Sequence, residues 1–167
     1  AQRIVLAREL RMEEVADLTA YAASLGVETE HFVHGALCYA FSGQCLMSNF
    51  SGCRSANRGT CAQNCRYDYQ ANGDNKFDTQ ISMKDLSLID AIPALANAGV
   101  ASLKIEGRLK GPDYVYTVAQ AFKKAVDAWQ EQRAFSAADV KFELQRVFSR
   151  GATTAPADGV YDQRSRL

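Results

Sequence analysis

All five cysteines of the chain fall between Phe32 and Arg66, in the run FVHGALCYAFSGQCLMSNFSGCRSANRGTCAQNCR. Crowding Cys38, Cys45, Cys53, Cys61 and Cys65 into 35 of 167 positions limits what the segment can become: a stapled loop or a metal-holding one. No basic-then-apolar leader opens the chain, and no apolar run is long enough to span a bilayer. The default compartment is then the reducing cytosol, where clustered thiols serve as metal ligands or redox groups rather than disulfides. The odd count points the same way.

The spacing is Cys38-x6-Cys45-x7-Cys53-x7-Cys61-x3-Cys65. Structural zinc favours paired knuckles with two to four residues between cysteines, and only Cys61 and Cys65 comply. An iron–sulfur cluster tolerates uneven spacing, because each iron takes one thiolate and the ligands approach from different directions. Four thiolates suffice, and setting Cys53 aside leaves a close pair at each end of the segment. The residues alone leave three readings open: an iron–sulfur cluster, a zinc ion, or buried or redox-active thiols.

Around this segment the pattern is α/β. Ile4-Val5-Leu6-Ala7 reads as a strand buried on both faces, and Met12 to about Ser24 as a helix with Met12, Val15, Ala16, Thr19 and Ala22 on one side. Glu30–Val33 reads as a second strand, with His34 and Gly35 just past it. Asn72-Gly73-Asp74 marks a turn, Phe77–Ser82 a minor strand, and Met83–Leu86 an approach to a helix over about Leu88–Asn97, where Pro93 marks a kink or the true start. Ser102–Ile105 is a third strand. Gly111-Pro112 opens the longest helix, to about Gln130, with a core stripe of Val115, Val118, Phe122, Ala125, Val126 and Trp129. Ser136 and Asp139 resemble a capping box for a last helix through Val147, and the tail from Gly151 reads as loop. Parallel strands joined by helical crossovers fit an open sheet or part of a (β/α)8 barrel. Three strands cannot close a barrel, and the chain opens without Met, so it reads as a piece of a longer one.

In such folds functional groups gather at strand ends. Arg8, Glu9, His34, the cysteine segment, Glu106 and Arg108 all fall there. His34 near Cys38 could form a nucleophile–base pair, although a cluster-bound thiolate cannot also attack a peptide. Lys104 and Glu106 share a strand face, either as an internal ion pair or as part of an anion pocket completed by a two-pronged Arg108. Arg54, Arg58 and Arg66 interleave with Asn57, Tyr67 and Tyr69, a mixture suited to RNA backbone and base stacking or to simple solvation. With nineteen basic and nineteen acidic residues, a nucleic-acid partner would have to use such a local patch. There is no H-E-x-x-H and no nucleophile-elbow serine.

Glu30–Cys38 followed by Ser42–Ser48 resembles the signature of the family U-32 peptidases, the collagenase-like group of unassigned mechanism. Arg54–Arg66, Ser82-Met83-Lys84-Asp85-Leu86 and Leu103–Arg108 resemble further blocks of that family, and Phe148–Gly151 a weaker one. The resemblance implies a (β/α)8-like barrel of parallel strands with a Cys-rich insertion loop, its N-terminal half absent. Residues 1–135 would be the partial barrel domain, 35–81 the insertion, and 136–167 a helix and tail leading onward. It also implies a [4Fe-4S] cluster, with zinc the alternative, on Cys38, Cys45, Cys61 and Cys65. Asn64 replaces a proline common in relatives before the last cysteine. The implied activity is hydroxylation, of a nucleobase in tRNA or rRNA or of the ubiquinone ring, with the nucleobase favoured, using a small-molecule oxygen donor or an electron donor, in the cytoplasm. The alternatives are a peptidase or a non-catalytic metal-binding module. Catalytic candidates are His34, Lys104 and Glu106; substrate-binding candidates are Glu9, Arg58, Lys84, Asp85 and Arg108. The isolated chain is expected to be inactive.

Overall fold

The computed structural model describes residues 1–70, 77–78, 81–147, 149 and 151–158. In chain order these form β1 (Arg3–Val5), α1 (Met12–Ser24), β2 (Glu28–Ala36), α2 (Met47–Gly52), β3 (Tyr69–Gln70) and β4 (Phe77–Asp78). Then follow β5 (Asp85–Ser87), α3 (Ile92–Asn97), β6 (Ser102–Ile105), α4 (Pro112–Gln130), α5 (Ala137–Arg146) and β7 (Ala152–Thr153).

Strand β2 pairs with three neighbours. Glu30 is opposite both Val5 of β1 and Ser102 of β6, and His34 is opposite both Ser87 of β5 and Ile105 of β6. A strand has two edges, so β6 occupies one and β1 and β5 follow each other along the second. β1 and β6 run parallel to β2, β5 runs antiparallel to it, and β7 runs parallel to β5. The result is mixed α/β with mostly parallel strands, which corrects the expectation of parallel strands throughout. Strand β5 is also where an approach to a helix was expected, and β7 falls in the expected loop. The separate β3–β4 hairpin belongs to the cysteine-rich excursion.

Thr29, His31 and Val33 of β2 are buried, whereas Glu28 is exposed and Glu30 and Phe32 are half-buried, the alternation of a strand with one face on the core. The Thr19 and Thr29 hydroxyls meet at 3.0 Å beneath α1 and satisfy each other. Leucine, isoleucine and valine side chains from β2, the 83–92 segment, α3 and α4 complete the core. Helix α4 presents Tyr114, Val118, Ala121, Phe122, Ala125 and Ala128 inward. Val115 is exposed and Trp129 is 38% exposed, so the expected stripe is rotated and Trp129 is not simply core. Pro93 lies in the first turn of α3, where its missing N–H is not needed, so the helix does begin there. Arg3–Val5 of β1 are exposed rather than buried on both faces, and Leu6 just beyond them is buried.

The register of β2 against β6 slips between Phe32 and His34, a bulge that lets Val33 and His34 both be buried. Beyond it Gly35 has φ +105°, and a Cβ there would stand 2.3 Å from the Glu106 carbonyl oxygen and 3.0 Å from Tyr114 Oη. Tyr114 Oη donates to that same carbonyl, so glycine is what lets β6 and α4 close over β2. Ser136 is the N-cap of α5 without a side-chain capping bond, and the Asp139 side chain lies outside the described residues, as do the Asn72–Asp74 turn and Phe148 and Arg150. Among the described residues no helix is long and apolar enough to cross a membrane.

Two predictions follow from β2. Gly35→Ala should lower unfolding free energy by about 2–4 kcal/mol, through backbone strain and overpacking; a urea midpoint equal to wild type would refute the close crossing. Burial holds His31 and His34 near pH 4 against a usual 6.5, with Asp85 partly opposing the shift at His34. Between those values the unfolded chain binds more protons, so the stabilisation is complete above pH 6.5 and drains away as pH falls toward 4. Each histidine accounts for on the order of 3 kcal/mol in total across that window. Urea titrations from pH 7 to 4 should flatten in His31→Gln, and an unaltered slope would exclude this linkage.

Candidate functional site

The strand-end rule brings the cysteine segment over the C-terminal end of β2. There a cleft of about 540 Å³ opens, lined by Cys38, Cys45, Cys61 and Cys65 together with Arg8, His34, Glu106 and Arg108. Cys53 does not line it; this residue is exposed, in a left-handed conformation at the end of α2. None of the five cysteines is in a disulfide. Cys65 lies near enough to Cys38 and Cys61 to feel both, but burial is the main reason its thiol pKa is raised, with Arg66 and the Tyr39 amide acting the other way. Gln63, in a left-handed conformation, directs its backbone N–H at Cys61 Sγ, 3.3 Å away.

Polar bonds rather than an apolar core fasten this excursion. Arg66 spans its two ends: Nη1 donates to Ser82 Oγ at 2.7 Å and to the Met83 carbonyl at 2.8 Å, and Nη2 donates to the Leu37 carbonyl. The Asn57 amide pairs with both backbone groups of Cys45 at 3.1 Å. Buried Asn64 bonds Ser48 and Ser51 of α2, a role that the proline expected at this position could not fill. Tyr69 Oη and Tyr67 Oη donate to the Asn64 and Ala62 carbonyls. Of the Arg–Asn–Tyr mixture read from sequence as an RNA patch, Asn57, Arg66 and Tyr69 are therefore internal fasteners, and Arg54, Arg58 and Tyr67 remain exposed.

The other candidates separate. Glu9 accepts from Ser42 N at 2.7 Å and from Ser42 Oγ, with Arg8 beside it at 3.7 Å; it ties the loop down and does not line the cleft. Lys104 does not share a site with Glu106. Its Nζ bonds Glu30 Oε1 at 3.0 Å across the strands, an interaction that is the first cause of the lowered Glu30 pKa. Glu106 lines the cleft and takes Arg108 Nε at 3.2 Å, a mainly exposed pair. Lys84 and Arg58 lie outside the lining. Asp85 is buried and lines a second cavity of about 420 Å³, between β5, β7 and α5, which His34 also borders. His34 packs against Phe122 and Tyr114, and its Nδ1 has no hydrogen-bond partner among the described residues. Phe41, Leu109 and Lys110 line the cleft and were not singled out from sequence.

In chemistry the donor set suits a thiolate-ligated group: four thiols on one cleft, with backbone amides reaching sulfur. In position, among the described residues, no three His, Cys, Asp or Glu side chains are gathered tightly enough to hold a single metal ion.

Fold and site together define an α/β protein with a cysteine-lined cleft at its strand ends. The sequence model of peptidase family U32 matches residues 1–165, and the chain belongs to that family. It is 42% identical over 138 residues to the tRNA hydroxylation protein P1 of Bacillus subtilis, covering 76% of this chain and 32% of that protein. A collagenase of Porphyromonas gingivalis is 39% identical over 170 residues, 90% of this chain and 41% of that one. The 23S rRNA 5-hydroxycytidine C2501 synthase of Escherichia coli is 38% identical over 164 residues, 90% of this chain and 25% of the synthase. The chain thus spans between a quarter and two-fifths of these relatives. No solved structure matches it.

Arg66→Met should leave the Leu37 and Met83 carbonyls without their donor and loosen residues 38–81. The expected result is a loss of about 2–4 kcal/mol, since a hydrogen-bonded charge and several buried acceptors are involved. Limited proteolysis should then cut first within the excursion; cleavage unchanged from wild type would show that Arg66 is not its fastener.

Proposed function

We propose that this chain is the cluster-bearing part of a U32-family protein that hydroxylates a nucleobase in tRNA or rRNA. The observation that supports it most is the sorting of the cysteines: Cys38, Cys45, Cys61 and Cys65 line one cleft and Cys53 is outside it. A [4Fe-4S] cluster on those four is less demanding than a single ion, because each iron needs one thiolate; when bound it supplies one-electron redox chemistry. The alternative ion, zinc, would need all four sulfurs around one centre.

The chain's own residues give the rest of the site. Arg8, Arg66, Arg108 and Lys110 line the cleft against one carboxylate, Glu106, so the lining favours an anionic substrate or a small anionic oxygen donor. A volume near 540 Å³ is within the range of small-molecule sites. Burial lowers the His34 pKa to about 4, so the imidazole is neutral at physiological pH. The mostly parallel sheet is read as part of a (β/α)8-like barrel, completed by sequence preceding this segment in the whole protein. Action on tRNA or rRNA puts that protein in the cytoplasm, with an electron donor as a further partner.

The names of the Porphyromonas relatives favour a second reading, a collagenase-like peptidase. A nucleophilic mechanism of that kind needs a nucleophile hydrogen-bonded to a base, and among the described residues His34 Nδ1 has no hydrogen-bond partner.

Two measurements test the proposal on the full-length protein. Anaerobic reconstitution with iron and sulfide should give the broad visible absorption of a cluster in wild type and Cys53→Ala, and not in Cys45→Ala. Equal loss in both variants would sink the ligand assignment. Mass spectrometry of tRNA and rRNA nucleosides from a deletion strain should lack one hydroxylated base; an unchanged set would remove the RNA reading, and peptide hydrolysis surviving iron removal would favour the peptidase.

A further inference from the structure

Residues 107–110 close a β-turn, in which Lys110 N donates to the Gly107 carbonyl at 3.1 Å. The third residue of this turn is Leu109, at φ +60°, a left-handed conformation that suits glycine or asparagine and strains a leucine. The chain meets the same requirement differently elsewhere. In the 41–44 turn, closed by Gln44 N on the Phe41 carbonyl at 3.1 Å, the third residue is Gly43, at φ +76°. Leu109 gives nothing to the core in exchange for its strain, because it is 92% exposed. Folding has no use for this side chain, yet its position is not arbitrary: Leu109 lines the cysteine cleft. So does Phe41, at the start of the other turn and 67% exposed.

We propose that Phe41 and Leu109 are two apolar jaws at the mouth of the cleft that grip one unpaired nucleobase of a single-stranded RNA. The inference rests on the RNA reading above. Charge selects the occupant: Leu109 is flanked by Arg108, which pairs with Glu106, and by Lys110. Arg8, which meets Glu9 at 3.7 Å, lies further along the same lining, where Glu106 is the one carboxylate among the described residues. Two exposed apolar side chains on one cleft with cationic neighbours match a base and its phosphates, whereas a duplex keeps its base faces stacked away from such jaws. Arg108 holds the backbone, the jaws hold the base face, and the base edge points toward the cysteines. Phe41 and Leu109 are positioning residues and take no part in bond making.

The test uses the full-length protein and a fluorescein-labelled single-stranded RNA of about 12 nucleotides. Phe41→Ala should weaken binding about 5- to 50-fold and Leu109→Gly about fivefold, with the salt dependence unaltered. Arg108→Ala should instead lower the salt slope by about one. An abasic strand of the same length should bind wild type and both jaw variants alike. Because glycine relieves the turn, Leu109→Gly should melt no lower than wild type, which separates lost grip from lost folding. Jaw variants that bind the base-bearing RNA as wild type does would overturn the jaws and leave the RNA reading standing. Wild type that fails to bind single-stranded RNA would overturn both. Denatured collagen peptide bound with the same dependence on Phe41 and Leu109 would reassign the jaws to a peptide and also overturn the proposal.

Discussion

Two edges of one strand carry three partners, and the placement of everything else follows from that. β6 takes one edge of β2; β1 and β5 divide the other between its first and last thirds. The bulge at Val33 and the bare α-carbon of Gly35 let the end of β6 and Tyr114 of α4 close over the strand. Because Cys38 comes two residues after β2 ends, the geometry that orders the sheet also aims the cysteine excursion at the strand ends. The site is therefore anchored at the buried core, with Val33 and Leu37 out of solvent on either side of the crossing.

The excursion itself is stabilised in a different way. It contributes little to the apolar core, and most of its fastenings are side chain to backbone: Glu9 to Ser42, Asn57 to Cys45, Arg66 to Leu37 and Met83. Each such bond adds about 1 kcal/mol net, more where a charge takes part, so the loop depends on many modest contributions rather than on one apolar cluster. Such a scaffold leaves four thiols accessible from a shared cleft without burying them in the core, and it leaves Cys53, at the far end of α2, facing solvent.

The limits of α1 and α4 were legible because three or more turns of periodic sequence average out local exceptions. Strand β5 was not legible: Asp85 and Ser87 are polar yet buried, so the three-residue strand has no apolar run to announce it. Of the expected inward stripe of α4, Val118, Phe122 and Ala125 are buried, and its margins were misjudged. Tyr114 and the alanines, which the pattern undervalues, pack inward, while Val115 and part of Trp129 face out. Cysteine spacing set Cys53 apart, and the structure leaves this residue outside the cleft lining. The partners of Lys104 and Arg66 were not, because Glu30 meets Lys104 through strand register and Arg66 reaches residues up to 29 positions away. Such encounters exist only once the sheet has formed. The leucine at a glycine's position in the 107–110 turn was visible as a residue, but its conformation was not.

The antiparallel pairing of His34 with Ser87 and Ala36 with Asp85 joins the two ends of the excursion before any of its interior is specified. Chain closure is thus settled by the sheet, and the length between those ends carries little thermodynamic weight: doubling it would cost only about 0.6 kcal/mol in closure entropy. The excursion can therefore gain or lose residues between its fastenings with the sheet undisturbed, and length variation is expected to collect there rather than near Leu37, Arg66 or Met83. What the fold holds constant is the set of tether points, and between them the sequence is free to change without loosening the sheet.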